Sequence, residues 1–195
     1  MYTGKHLAAA QDVLVVTINY RTNIFGFPGI PGEAQNLGLR DQRAAIEWVR
    51  DNIASFGGDP EKIVVVGQSA GSISIDLWSY AYSDDPIISG FWSMSGNALT
   101  RPVSGPELVQ DNFQLVSDAV NCTKASDQMA CICEVDWKDL RDAASSLPSF
   151  TTDNPLRSWP VFSPSQDDEL IFGDYANRSK KGQFAKIVSE ALFSF

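Results

Sequence analysis

An α/β protein, with a mostly parallel central sheet and helices on both faces, is predicted by two patterns in the sequence. Apolar, β-branched runs alternate with amphipathic stretches from Asp12 to Met94, in the order strand, helix, strand, helix, strand. That order implies right-handed βαβ units, which build parallel sheets. The second pattern is local: Ile63-Val64-Val65-Val66 runs without a break into Gly67-Gln68-Ser69-Ala70-Gly71, a G-x-S-x-G turn that opens a helix.

Asp12 to Tyr20 is nearly continuous in apolar and β-branched residues, so it reads as a strand buried on both faces. A Gly- and Pro-rich loop follows from Asn23 to Gly32. Leu39, Ile46, Val49 and Ile53 then recur on one helical face, with Arg40, Asp41, Arg43, Glu47 and Arg50 on the wet faces. Gly57-Gly58 stops that helix, and Asp59-Pro60-Glu61 starts a new turn with a cap residue before proline. Ile63 to Val66 is the second strand, Ser72 to Trp78 the next helix, and Ile87 to Met94 the third strand. Pro106–Val120 (Leu108, Phe113, Val116, Val120) and Asp136–Leu147 (Trp137, Leu140, Ala144, Leu147) read as further amphipathic helices. Pro148 to Asp174 turns to Pro, Ser and Asp with isolated aromatics. It reads as an ordered surface excursion, since Trp159, Val161 and Phe162 need burial. No internal repeat is visible, and residues 1–195 read as a single partial domain.

The G-x-S-x-G turn has a mechanical meaning in this context. A strand that turns straight into a helix holds the central residue in a strained backbone conformation and needs small neighbours on both sides. Gly67 and Gly71 are expected to supply that room. Ser69 is left with its hydroxyl clear of the strand's carboxyl end, where reactive groups of parallel sheets sit.

Composition narrows the classes. With 195 residues, 44% hydrophobic and 20% charged, the chain can bury a sizeable core. Its net charge of -9 argues against nucleic acid and anionic membrane as partners. No apolar run approaches the roughly 18 residues of a membrane span, so no transmembrane segment is expected. Met1 to His6 shows no apolar signal region. The three cysteines, Cys122, Cys131 and Cys133, cluster far from the sole histidine, His6, so no metal site is read from them. A short-loop disulfide from Cys122 to Cys131 or Cys133 is expected, with one thiol left over. Asn121-Cys122-Thr123 and Asn177-Arg178-Ser179 fit the glycosylation acceptor pattern. Together these features favour a secreted, extracellular protein.

Several blocks follow one another in a fixed order: Asn19-Tyr20-Arg21, Phe25-Gly26-Phe27, Asn36-Leu37-Gly38-Leu39-Arg40-Asp41-Gln42, Trp48-Val49, Phe56-Gly57-Gly58-Asp59-Pro60, the Gly67–Gly71 elbow and Ser95-Gly96-Asn97-Ala98. In that order and spacing the chain resembles the type-B carboxylesterases, the cholinesterase and lipase branch of the α/β-hydrolases. The match is dense from Val13 to Leu99 and thinner to Lys186. The resemblance implies an α/β-hydrolase fold and a carboxylic ester hydrolase working through a serine acyl-enzyme. Ser69 would be the nucleophile and the Ala70 backbone N–H one oxyanion donor. The substrate would be a small-molecule or lipid carboxylic ester, with no cofactor. The resemblance also pairs Cys122 with Cys131 and leaves Cys133 as the spare thiol. Gln68 departs from the commoner glutamate before the serine, with no derivable consequence for substrate choice.

The family's remaining oxyanion donors lie on a Gly-rich loop before the first strand, and its catalytic histidine lies beyond the position of Phe195. The domain is therefore expected to be incomplete at both ends, as in a truncated product or gene fragment. His6 is expected to be a surface histidine. Glu190, before Ala191-Leu192-Phe193 and after a strand shortened to Ile187-Val188, matches the local context of the family's orienting acid. Two other readings compete: an inactive cholinesterase-like binding protein, against which the intact elbow speaks, and an unrelated α/β-hydrolase, which would lack the linked blocks. The ester and the oligomeric state are not legible.

Overall fold

Parallel pairing between strands distant in sequence organises the first of two compact units into which the chain's contacts divide. The computed structural model describes residues 3–100, 103–148, 150–151 and 158–192. One unit comprises residues 1–20, 40–100 and 177–195; the other comprises 21–39 and 101–176.

In the first unit, strand β1 (Val64–Gln68) pairs in parallel with β2 (Gly90–Met94). Strand β2 in turn pairs in parallel with β5 (Val188–Leu192), giving the order β1-β2-β5. Helix α4 (Ala70–Ala81) makes the crossover from β1 to β2 and packs on both. Helix α3 (Leu37–Asn52) runs on into a 3-10 turn at Ile53–Phe56, and Gly57 (φ 85°) closes it in the left-handed conformation that glycine tolerates. The Asp59 carboxylate then accepts the Glu61 N–H and caps the turn at Pro60–Lys62. Ile46 of α3, Trp78 of α4 and Ile88 form a buried cluster against which Val65 and Phe91 pack. Arg43, expected on a wet face of α3, is instead largely covered. Its guanidinium lies 4.3 Å from the Tyr82 ring centre and bonds Glu47 and Asp85. Two aromatic rings, Trp78 and Tyr82, and two carboxylates surround its head.

Side chains alternate across a strand, so the register sorts them into two faces. Val65, Gly67, Phe91 and Ser93 face α4. Val64, Val66, Trp92 and Val188 share the other face and are exposed, Val66 at 53%. Helices on both faces were expected. Among the described residues one face is covered, so β1 is half-exposed rather than buried.

The first predicted strand also differs. After helix α1 (Lys5–Gln11), residues 13–20 belong to no ladder among the described residues, and Val13, Leu14, Val15, Val16 and Ile18 are exposed. An apolar run becomes a buried strand only where neighbours take its N–H and C=O groups and layers cover it. The described residues bring this run neither. The third predicted strand starts late, at Gly90, because Ile87 adopts φ 62°, a conformation that breaks a strand before it begins.

The second unit is mainly helical. Helix α2 (Asn23–Gly26) is a single turn in the expected loop. Helix α5 (Pro106–Ala119) buries Val109, Phe113 and Val116, and α7 (Trp137–Ser146) buries Leu140 and Ala144. Leu108 and Trp137, expected on those inner faces, are exposed. Helix α6 (Gln128–Glu134) carries Cys131, which bridges to Cys122. Cys133, two residues on and therefore about 200° around the helix, stays a free exposed thiol. Strands β3 (Phe150–Thr151) and β4 (Ser158–Trp159) pair antiparallel. Val161 and Phe162 are buried as expected; the Trp159 side chain lies outside the described residues. The irregular 160–174 stretch is ordered by Asn36, which is fully buried. Its amide donates to the Ser165 carbonyl and the Asp167 carboxylate, each at 2.8 Å, and its oxygen accepts the Ser165 N–H. Residues 175–176 begin helix α8 (Tyr175–Lys181), whose remaining residues belong to the first unit.

Candidate active site

Ser69 stands between β1 and α4 with φ 53° and ψ -113°, a conformation that a residue with a side chain adopts at a cost and only where its surroundings impose it. The sequence imposes it by forcing a strand into a helix with no loop between. Its N–H donates to the Met94 carbonyl at the end of β2 (2.8 Å), so the turn is tied to the neighbouring strand. Its carbonyl accepts the Ile73 N–H (3.0 Å), the first bond of α4. The Ser69 hydroxyl makes no helix-capping hydrogen bond, and the residue is exposed, as are Gln68 and Ala70. Ala70 is the first residue of α4, so its N–H lies among the unpaired donors at the positive end of a twelve-residue helix.

The room at this turn comes from a different pair of glycines than the motif suggests. A Cβ on Gly67 would lie 2.5 Å from the Gly71 carbonyl carbon and 2.6 Å from Ile75 Cδ1, so Gly67 is required. A Cβ on Gly71 would meet nothing within 4 Å. Gly71 serves as the backbone that Gly67 touches. The second obligatory glycine is Gly96, where a Cβ would lie 2.8 Å from the Ser69 carbonyl oxygen and 3.0 Å from Ile73. Its signal in the sequence was the Ser95-Gly96-Asn97-Ala98 block, read there as a family mark without a mechanical role.

Met94 to Ala98 thus forms a second wall of the site, and α4 is stitched to it. Ser72 Oγ donates to the Gly96 carbonyl (2.7 Å), and the Ala98 N–H donates to Asp76 Oδ2 (2.7 Å). Burial pushes the Asp76 carboxyl above the ordinary carboxylate value, outweighing the hydrogen bonds from the Ala98 amide and from Ser79 that hold it down. Its own burial, reinforced by the nearby Asp76 carboxylate and opposed by a hydrogen bond with Ser179, raises the Tyr80 phenol. Asp76 escaped the sequence reading, because one aspartate within an apolar helix carries no motif.

The other predicted residues lie apart from this wall. His6 is exposed on α1. Glu190 is exposed inside β5, opposite Trp92, where a loop beyond a shorter strand was expected. The parallel ladder with β2 carries the strand on to Leu192 and takes Glu190 into it. In register it stands level with Val66, two residues short of the carboxyl end at Gln68 and two strand spacings, about 10 Å, across. Asn121 (φ 61°) and Asn177, on α8, are both exposed. Among the described residues no three His, Cys, Asp or Glu side chains are placed to hold a metal, and no helix is long and apolar enough to cross a membrane.

A strand, a strained serine and a helix stand in direct succession, and comparison places the chain in a family. Residues 1–188 match the carboxylesterase family model, and the chain belongs to that family. A chlorogenic acid esterase of Aspergillus niger is 36% identical over 186 residues, covering 94% of this chain and 35% of that protein. Lipase 2 of Geotrichum candidum is 34% identical, over 95% of this chain and 35% of its own length. Bile salt-activated lipase of Rattus norvegicus is 34% identical, over 91% and 29%. The chain spans about a third of the length of the curated relatives it matches.

Proposed function

We propose that this chain carries the nucleophile of a secreted carboxylic ester hydrolase, built on an α/β-hydrolase scaffold and working through a serine acyl-enzyme. The observation that carries the reading is the exposed Ser69, strained at the carboxyl end of a parallel strand and at the head of α4, in a chain of the carboxylesterase family. Ser69 Oγ attacks the ester carbonyl carbon while its proton passes to a general base. The alcohol leaves, and water then hydrolyses the acyl-serine. The Ala70 N–H stabilises the oxyanion, because it already points out of a helix N-terminus and needs no reorganisation as charge develops. Gly96 adds backbone support behind Ser69.

Within this reading Glu190 is the orienting acid on family context, and its mid-strand position makes it the weakest member of the set. No residue of this chain is assigned as the base. A small-molecule or lipid ester is the substrate class, since relatives named esterase and lipase match the chain to similar degrees. Secretion is supported by the relatives named secreted lipases and by the disulfide, which persists in oxidising compartments. In that setting the exposed Asn177 and Asn121 are the glycan acceptors.

The test is active-site labelling. A fluorophosphonate probe should modify the protein at the Ser69 peptide, and Ser69→Ala should abolish the label. Label at another residue, or retained in Ser69→Ala, would remove Ser69 from this role.

A further inference from the structure

We propose that Asp76 is a positioning residue for Ser69, acting through the Met94–Ala98 segment that forms the wall behind the elbow. This rests on the reading of Ser69 as nucleophile, but its structural half is tested independently of any activity.

Ser69, Ser72 and Asp76 are three and four residues apart, so they fall on one stripe at the edge of α4. Each makes one bond to the same short segment: Ser69 N–H to the Met94 carbonyl, Ser72 Oγ to the Gly96 carbonyl, and Asp76 Oδ2 from the Ala98 N–H. The segment is bent by Ser95 (φ 59°), which like Ser69 (φ 53°) is in a backbone region that L-residues avoid. Two strained serines therefore face each other across a seam closed by three hydrogen bonds. Gly96 shows how tight the seam is, because its backbone leaves no space for a Cβ against the Ser69 carbonyl. If the far end of the seam opened, the Gly96 backbone could retreat and Ser69 would be free to relax.

Asp76 closes that far end with its carboxyl group, which accepts the Ala98 N–H. Its hydrogen-bond partner among the described residues is a backbone amide, not a cation, while the Ser79 hydroxyl donates to the Asp76 main-chain carbonyl (2.8 Å). A neutral acceptor could close the bond without desolvating a carboxylate. What the carboxylate adds is a shorter, stronger acceptor, roughly twice as strong as a neutral one. Strain of this kind persists only where the surroundings over-determine it, and Asp76 supplies one of the three restraints on the segment.

The experiment compares Asp76→Ala and Asp76→Asn in the full chain by residue-resolved amide hydrogen exchange and by the rate of fluorophosphonate labelling. In Asp76→Ala the Ala98 and Ser69 amides should exchange about tenfold or more faster, as expected for loss of a hydrogen bond to a charged group. The Trp92 amide, in the middle of β2, should keep its wild-type rate. Labelling of Ser69 should slow by a comparable factor. Asp76→Asn, whose carboxamide oxygen can accept the same N–H as a weaker, neutral acceptor, should recover part of both. Unchanged exchange at Ser69 and Ala98 would overturn the proposal. So would acceleration of Trp92 by the same factor, which would mean general loosening. Should wild-type Ser69 take no label, the acyl-enzyme reading fails and the exchange arm alone decides whether Asp76 positions the elbow.

Discussion

Two stretches of the same unit, Val13 to Ile18 and Ile63 to Val66, are close in composition and unlike in structure. Both are runs of valine and isoleucine with little polar interruption. Val64 to Val66 sits in a ladder with β2 and packs Val65 against the Trp78 cluster. Val13 to Ile18 has no ladder among the described residues and exposes its apolar side chains, although Leu14 approaches Gly58 and Val15 approaches Gly4. Apolar run and β-propensity are therefore common to both; hydrogen-bonding partners and a covering helix belong to one. β-propensity measures fit to a pleated, half-buried surface, and the surface must exist first. The elbow makes that surface locally, since the helix it starts folds straight back over the strand.

The largest expected effect comes from breaking that local device. Gly67→Ala places a Cβ 2.5 Å from Gly71 backbone, and backbone on a strained turn cannot step aside as a flexible side chain can. The variant should lose about 3–5 kcal/mol in urea unfolding, beyond ordinary overpacking. Gly71→Ala, with open space at the same radius, should fall well short of that loss. Equal losses at the two glycines would mean that helix α4 does not lie on β1 as described.

How much was legible follows the same division. The elbow, α3, α5 and α7 could be read because each writes its own signal within a dozen residues: an uninterrupted strand-to-glycine junction, or an apolar face at helical spacing. The 3-10 turn after Asp59 was legible from cap chemistry alone. The seven-residue helices α1, α6 and α8 were not, being too short to show a period. Strand β5 was read two residues long because Ser189 and Glu190 are polar; its ladder with β2, not its own composition, makes it a strand. Within the site, Ser69 and Ala70 could be placed from the motif. Asp76 and the mechanical role of Gly96 could not, because their importance lies in contacts across twenty or more positions: Asp76 with Ala98, Gly96 with Ser72. Glu190 was read by its neighbours in sequence, which say nothing of its level in the sheet.

A smaller effect is expected where the comparison is sharpest, at Val65. Val65→Thr keeps the shape and β-branching and adds a hydroxyl to a position half-buried against the cluster of Ile46, Trp78 and Ile88. The apolar surroundings offer that hydroxyl little, and the cost should be about 1 kcal/mol, the low end for a polar group placed in a core. The midpoint of urea unfolding should fall with its slope unchanged. A cost near zero would show that the covered face of β1 is as wet as the other.

The same substitution at Val16 is the smallest expected change and the one that tests the comparison itself. Val16 is 47% exposed and belongs to a segment without a ladder among the described residues. A hydroxyl there meets water, β-branching is retained, and no neighbouring atom has to move. Val16→Thr should therefore stay within about 0.5 kcal/mol of the parent, the range of surface substitutions. Were residues 13–18 instead a strand buried on both faces, as composition alone suggests, the hydroxyl would be fully desolvated and the loss should exceed that at the half-buried Val65. The two threonine variants, measured side by side in one denaturant series, rank the stretches directly. Val65 above Val16 supports a fold in which the elbow's own helix covers its strand. The reverse order would mean that the first apolar run lies inside a sheet.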